Sequence, residues 1–286
     1  MPELPEVEAL VGFLREHAVA QVVARVEVAS ISVLKTVDPP VSALAGLTIS
    51  AITRRGKWVD LDVDGLHLVF HLAKAGWLRW SQEQPDRPAR PGTGPLALRL
   101  VLAGGCGFDL TEAGTRKRLA VHVVRDPLLV PAIATLGPDP LDPGFDRAAL
   151  AEVLAGHRAQ LKGVLRQQSL LAGVGNAYSD EVLHAAQLSP YALADTLSDE
   201  QVDRLYASLR AVLSDAVLAV SGRPVAELKD AKRAGMRVHG RAGQACPVCG
   251  DTVREVSFAE SALQYCPACQ TGGRLLADRR MSRLLR

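Results

Sequence analysis

No run of apolar residues in this 286-residue chain approaches the ~18–20 that a membrane-crossing helix needs, which excludes a helical integral membrane protein. The start lacks the charged-then-apolar layout of a secretory signal, so an intracellular protein is expected. Aromatic residues make up only 4% of the chain against 48% apolar residues, which leaves a sizeable aliphatic core and excludes a disordered chain. Cysteine is scarce: of the five, Cys106 stands alone in an apolar segment and the other four are grouped late in the sequence. That pattern argues against a disulfide framework and for a metal site in a reducing compartment. Net charge is also small, at +2, but it is unevenly spread. Residues 223–286 carry twelve Lys/Arg against six Asp/Glu, which leaves a net −4 on the first 222. Basic charge gathered at one end suggests a polyanionic partner there, although a solvated charged face explains asymmetry alone.

The front of the chain reads as one helix and then β structure. Val7, Leu10, Val11 and Leu14 fall at i, i+3, i+4 and i+7, one apolar helical face. Short β-rich runs follow to about residue 125, and LDVDG ahead of LHLVF predicts a hairpin, since Asp-Gly tolerates positive φ. The turn-rich LGPDPLDPGFD is a natural linker. Beyond it the period becomes helical, and Ser198 with Gln201 predicts a capping box opening a helix that carries Val202, Leu205, Leu209, Val212 and Leu213. The expected fold is therefore α+β and multidomain: an N-terminal domain over 1–130, a linker over 131–145, a helical domain over 146–235, a cysteine-bearing finger over 236–270 and a basic tail over 271–286.

Three stretches carry chemistry. Cys246, Cys249, Cys266 and Cys269 form C-x2-C-x16-C-x2-C, in which each tight knuckle presents two sulfurs to one ion. Four protein ligands leave no open position, so one structural zinc is expected, holding a hairpin too small to fold alone. LLAGVGNAYSDEVL reads as helix, glycine turn, helix, with Asn176 as N-cap and backbone N–H groups suited to a phosphate. The lysine and polar residues of the preceding LKGVLRQQS support that reading, whereas an ordinary helix–turn–helix corner explains the glycines by itself. At the N-terminus, MPELPEVE is a good acidic helix start with no function required. If Met1 is removed, however, Pro2 offers a free secondary amine, and an α-amine titrating near ~8 is partly neutral and nucleophilic at neutral pH. A neighbouring carboxylate then serves as proton donor and acceptor.

MPELPEVE, RRGKW, HLAKAG, LGPDPL, AGVGNAYSDEVL and CPVC…YCPACQ occur in an order that resembles the formamidopyrimidine-DNA glycosylase/endonuclease VIII family over residues 1 to about 270. The resemblance implies a β-sandwich with an N-terminal helix, a helix–two-turn–helix domain and a zinc finger, with double-stranded DNA bound in the cleft between them. It implies a monomeric base-excision glycosylase with abasic-site lyase activity, acting on a damaged base or abasic site, cytoplasmic and nucleoid-associated in a bacterium. Pro2 stands at the nucleophile's position, Glu3 at the catalytic acid's and Glu6 at an accessory carboxylate's. Lys57 matches a phosphate-holding catalytic lysine, while His71 and Asn176 match phosphate contacts.

Departures from the family pattern fall on substrate recognition. Lys74 in HLAKAG replaces the methionine wedge that fills the gap left by a flipped base; a lysine reaches phosphate or the orphan base but stacks poorly. The second wedge region is EAGTRKRLAV, where Lys117 and Arg118 lie nearby and the aromatic is missing. Ser261 falls where a phosphate-clamping arginine is expected, and the tail TGGRLLADRRMSRLLR, with five arginines, is a candidate substitute. The stretch following Val220 is shorter than the family's cap over an oxidised purine, so 8-oxoguanine is not the expected preference. These departures also support an alternative: a weakly catalytic or non-catalytic DNA-binding relative that recognises abasic, gapped or distorted DNA. A zinc-ribbon protein binding RNA or protein leaves the N-terminus and the glycine turn as coincidence.

Overall fold

The computed structural model describes residues 1–92, 94–113, 117–257 and 262–277. The chain divides into two compact units, Met1–Thr135 with Val220–Lys229, and Leu136–Ala219 with the described residues from Asp230 onwards. Among the described residues no helix is long and apolar enough to cross a membrane.

The first unit opens with helix α1 (Leu4–Ala18), whose buried face is Leu4, Val7, Leu10, Val11, Leu14 and Ala18. Two antiparallel four-stranded sheets follow. One has the order β1 (Val23–Val28), β6 (Leu96–Leu102), β7 (Gly107–Glu112), β5 (Gly76–Ser81). The other runs β2 (Ile49–Arg55), β3 (Trp58–Val63), β4 (Leu66–His71), β8 (Ala120–Val124). Leu78, Leu100, Phe108 and Leu110 from the first sheet and Leu61, Leu68, Phe70 and Val121 from the second are fully buried. The rings of Phe70 and Phe108 lie 5.9 Å apart and join the two sheets. The Asp-Gly hairpin forms as expected, with φ of +50° at Asp64 and +84° at Gly65. A short helix α2 (Pro131–Ala134) ends this stretch. The chain returns to the unit at Val220–Lys229, where Val225 and Leu228 are buried and the Lys229 ammonium stands 4.4 Å above the Trp77 ring.

The second unit contains α3 (Arg147–Leu154), α4 (Leu161–Arg166) and α5 (Asn176–Ala185). Helix α6 (Asp199–Val220) and helix α7 (Leu228–Gly235) lead to the hairpin β9 (Arg254–Ser257) and β10 (Ala262–Tyr265), followed by α8 (Pro267–Thr271). The capping box before α6 is present: Ser198 N–H donates to Gln201 Oε1 at 2.9 Å and Gln201 N–H to Ser198 Oγ at 3.3 Å. The finger carries two small cores. One is Val238, Cys246, Val253 and Cys266; the other is Val256, Leu263 and Tyr265, with Tyr191 and Leu276 packed against it.

Candidate active site and metal centre

The N-terminal residues are held, not frayed. Glu3 is the N-cap residue of α1, and its N–H donates to Glu6 Oε2 at 2.8 Å, half of a reciprocal capping box. Both carboxylates are buried, as is Pro2, while Met1 is exposed. One turn along, Glu8 Oε2 accepts from Arg54 Nε at 2.6 Å, and Arg54 also donates to Gly56 O at 3.3 Å. Arg15 donates to Ile52 O at 2.7 Å. These bonds lash the helix to the β2–β3 hairpin, whose two-residue turn is Gly56-Lys57. Gly56 takes φ of +58°, as a turn matching the strand twist requires. Lys57 is 7% exposed, a mostly buried cation next to the strand end.

The register carries the site across the sheet. Trp58 pairs with His71, and His71 with Ala120, so Lys57, His71 and Arg118 gather at one end of three adjacent strands. The rings of Trp58 and His71 are 4.9 Å apart. Burial, with the Lys57 ammonium nearby, lowers the His71 pKa to about 4, so the ring is neutral at neutral pH. Ala73 N–H donates to His71 Nδ1 at 3.2 Å, which leaves the proton of the neutral ring on Nε2 as a donor.

Beyond His71 the chain makes one tight turn. Gly76 N–H donates to Leu72 O at 2.9 Å and Ala73 adopts φ of +51°. A Cβ at Gly76 would lie 2.1 Å from Leu72 O, so only glycine fits. Lys74 is exposed on this turn. The second loop is clamped from within: Glu112, 1% exposed, accepts from Arg118 N–H at 2.9 and 2.8 Å and from Leu119 N–H at 2.9 Å. The Lys117 ammonium donates to the carbonyls of Gly94 and Glu112, whereas Arg118 is exposed. Lys117 is thus a loop tether here, a role its position in a basic run concealed. Residues 114–116 of that loop lie outside the described residues, as do Ser261 and the tail beyond Ala277.

In the second unit Gly175, not Asn176, is the N-cap of α5, and Asn176 is the first helical residue. Its Nδ2 donates to Ala262 O in β10 at 2.8 Å, while its buried Oδ1 has no partner among the described residues. The lysine of LKGVLRQQS is no surface phosphate ligand. Lys162 is 5% exposed and donates to Asn176 O and Ser179 Oγ, each at 3.0 Å, and to Asp180 Oδ1 at 2.5 Å. Asp180 Oδ2 faces His239 Nδ1 at 2.8 Å and accepts from Gln264 N–H at 3.2 Å. Glu181 accepts from the N–H groups of Arg237, Val238 and His239 at 2.8, 3.0 and 2.8 Å, and its burial raises its pKa against these bonds. The face 176, 180, 181 of α5 therefore fixes the finger to the helix. Sequence reasoning gave Lys162 to a phosphate and missed Asp180, Glu181, His239 and Glu112. Charged residues inside apolar runs were the available signal.

The four finger cysteines converge as the spacing predicts: their sulfurs all lie within 4.8 Å of one another, the one such group among the described residues. Cys246 and Cys269 are 3.9 Å apart and Cys249 and Cys266 3.3 Å. A tetrahedral zinc with ~2.3 Å bonds asks for sulfurs about 3.8 Å apart, and an all-thiolate set suits that metal. The finger holds one structural zinc.

Comparison with known proteins agrees with this arrangement. The family models of the formamidopyrimidine-DNA glycosylase N-terminal domain, its H2TH domain and the zinc finger found in FPG and IleRS match residues 1–120, 136–224 and 243–272. The formamidopyrimidine-DNA glycosylase of Moorella thermoacetica is 36% identical over 269 residues, 90% of this chain and 94% of that protein. The crystal structure of MutM (Fpg) from Thermus thermophilus is similar at 30% identity and a TM-score of 0.79, covering 94% of this chain and 98% of that one. The complex of Lactococcus lactis Fpg with DNA containing an abasic site is similar at 27% identity and a TM-score of 0.81, covering 94% and 99%.

Proposed function

The chain belongs to the formamidopyrimidine-DNA glycosylase family, and from that premise we propose how its own residues divide the work. The protein is a base-excision DNA glycosylase with abasic-site lyase activity, and its partner is double-stranded DNA carrying a damaged base or an abasic site. Removal of Met1 frees the Pro2 amine, which attacks C1′ of the damaged nucleotide as the bond from C1′ to the base breaks and the base departs with a proton. Glu3 gives a proton to the sugar ring oxygen, the ring opens and an iminium joins Pro2 to C1′. Loss of a C2′ proton then expels the 3′ phosphate, and water hydrolyses the iminium to restore the amine.

The observation that carries this reading is the ordered start of α1, where Glu3 and Glu6 are buried together beside Pro2 and the helix is lashed to the Lys57 hairpin. Lys57 and the Nε2–H of His71 supply a cation and a neutral donor at one sheet end, fit for adjacent phosphate oxygens. Lys74 and Arg118 extend that donor set into DNA, Lys117 supports the loop that carries Arg118, and Asn176 contributes at the start of α5. The protein acts as a monomer in the cytoplasm, at the nucleoid of a bacterium.

Borohydride trapping on duplex DNA with an abasic site tests the assignment. Protein whose mass shows Met1 removed is expected to give a covalent adduct, which Pro2→Gly loses and Glu3→Gln weakens strongly. DNA binding without any adduct from the wild type would leave a non-catalytic reader of damaged DNA in place of the enzyme.

A further inference from the structure

Helix α5 ends beside the metal centre, and its last turn places an unusual neighbour there. His184 is 2% exposed, and its Nε2 lies 3.3 Å from Sγ of Cys246, a residue itself only 3% exposed. The other ring nitrogen, Nδ1, is buried without a hydrogen-bond partner among the described residues. His184 is not within the close set formed by the four sulfurs, so it stands outside the ligand shell. Its chemistry is settled by what surrounds it. A zinc-bound cysteine is a thiolate and accepts hydrogen bonds, so the facing nitrogen carries the proton and the unpartnered Nδ1 keeps its lone pair. A buried neutral imidazole in that tautomer forgoes one acceptor bond but avoids an orphaned buried N–H.

We propose that His184 is an outer-sphere ligand of the zinc site, donating Nε2–H to the Cys246 thiolate and so slowing zinc loss while tying the metal to helix α5. An N–H donor draws charge from a thiolate and covers one side of the sulfur, lowering its exposure to electrophiles without displacing the metal. Cys246 receives this donor from a helix residue 62 positions earlier, so the contact joins two parts of the chain. The same helix begins at Asn176, bonded to the finger at Ala262, and is fixed to it again through Asp180 and Glu181. His184 adds the metal itself to that seam. Cys249, by contrast, is exposed and is the thiolate most open to attack.

The test is the rate at which the zinc-loaded, full-length protein passes its metal to excess chromogenic chelator at fixed neutral pH. His184→Phe, which fills the ring's volume without a donor, is expected to release zinc about tenfold faster or more, in line with the cost of losing an outer-shell partner. His184→Gln, whose carboxamide can donate to the sulfur, is expected to stay near the wild-type rate. Equal rates for wild type and His184→Phe would overturn the proposal, and so would equal acceleration by Phe and Gln. A second measurement does not need a variant to fold: in cadmium-113-substituted wild type, the imidazole proton should show scalar coupling to the metal through the N–H···S bond. Its absence overturns the proposal too.

Discussion

At the scale of single residues, His71 shows how position alone sets a protonation state. The ring is packed on Trp58, takes the Ala73 N–H at Nδ1 and has the Lys57 ammonium nearby; burial first, then that charge, lowers its pKa from 6.5 to about 4. The unfolded chain therefore binds a proton that the folded chain resists. Stability conferred by a neutral His71 is fully present above pH 6.5 and is lost as pH falls from 6.5 through about 4. Relative to His71→Gln, the wild type should lose about 3 kcal/mol across that window. Urea titrations at stepped pH check this, and parallel profiles for the two proteins would mean the ring is not held neutral. Phosphate binding at Nε2 would favour the protonated ring, so His71 should take up a proton from solvent when DNA binds in the same range.

Single elements show which parts of the site can be read locally. The α1 stripe, the Asp64-Gly65 turn, the Ser198–Gln201 box and the cysteine knuckles each lie within a few residues, where periodicity and turn chemistry act directly. Lys162 and Asp180 are 18 residues apart, and only the packed helices show that a lysine in a polar-looking run is a buried ion-pair partner. The same holds for Lys117, whose basic neighbours suggested DNA while its ammonium faces two carbonyls. Asn176 moved by one position, from cap to first helical residue, because Gly175 takes the extended cap conformation. The turn at 72–76 combines both cases: its glycine was visible, but not that Ala73 would adopt φ of +51° to point the chain at Lys74. Since Lys74 is exposed and the turn is set by Leu72 and Gly76, Lys74→Met should change stability by less than about 0.5 kcal/mol. It should also lower the salt dependence of DNA binding by about one phosphate contact. Gly76→Ala should instead destabilise by about 1–3 kcal/mol or more, because its Cβ meets Leu72 O. Thermal melts and anisotropy titrations separate the two effects, and a Lys74→Met protein with an unchanged salt slope would remove that lysine from the DNA contacts.

On the scale of the whole molecule the basic charge is concentrated toward the C-terminus, and the structure shows where its last part can be separated from the fold. Leu276 packs on the finger's second core, its N–H donating to the Tyr265 hydroxyl at 2.8 Å, and Tyr191 donates to Ala277 O at 3.3 Å. The chain to Ala277 thus belongs to the finger. A cut at Gln270 would remove arginines and packing together and would confuse a weaker hairpin with a lost DNA contact. A cut after Ala277 removes Arg279, Arg280, Arg283 and Arg286 while leaving Leu276 on the core. These four lie outside the described residues, and the expectation that they bind DNA rests on charge and on Ser261 standing where a clamping arginine is expected. Each arginine that reaches a phosphate contributes about 0.9 to the slope of log affinity against log salt. The protein ending at Ala277 should therefore keep its zinc and its melting temperature, bind abasic-site duplex more weakly at low salt, and show a slope reduced by about one per lost contact. An unaltered slope would place the tail off the DNA and leave the finger without a substitute for the missing clamp. Zinc loss alongside the weaker binding would instead mean that the tail supports the finger, and the truncation at Gln270 should then exaggerate that loss.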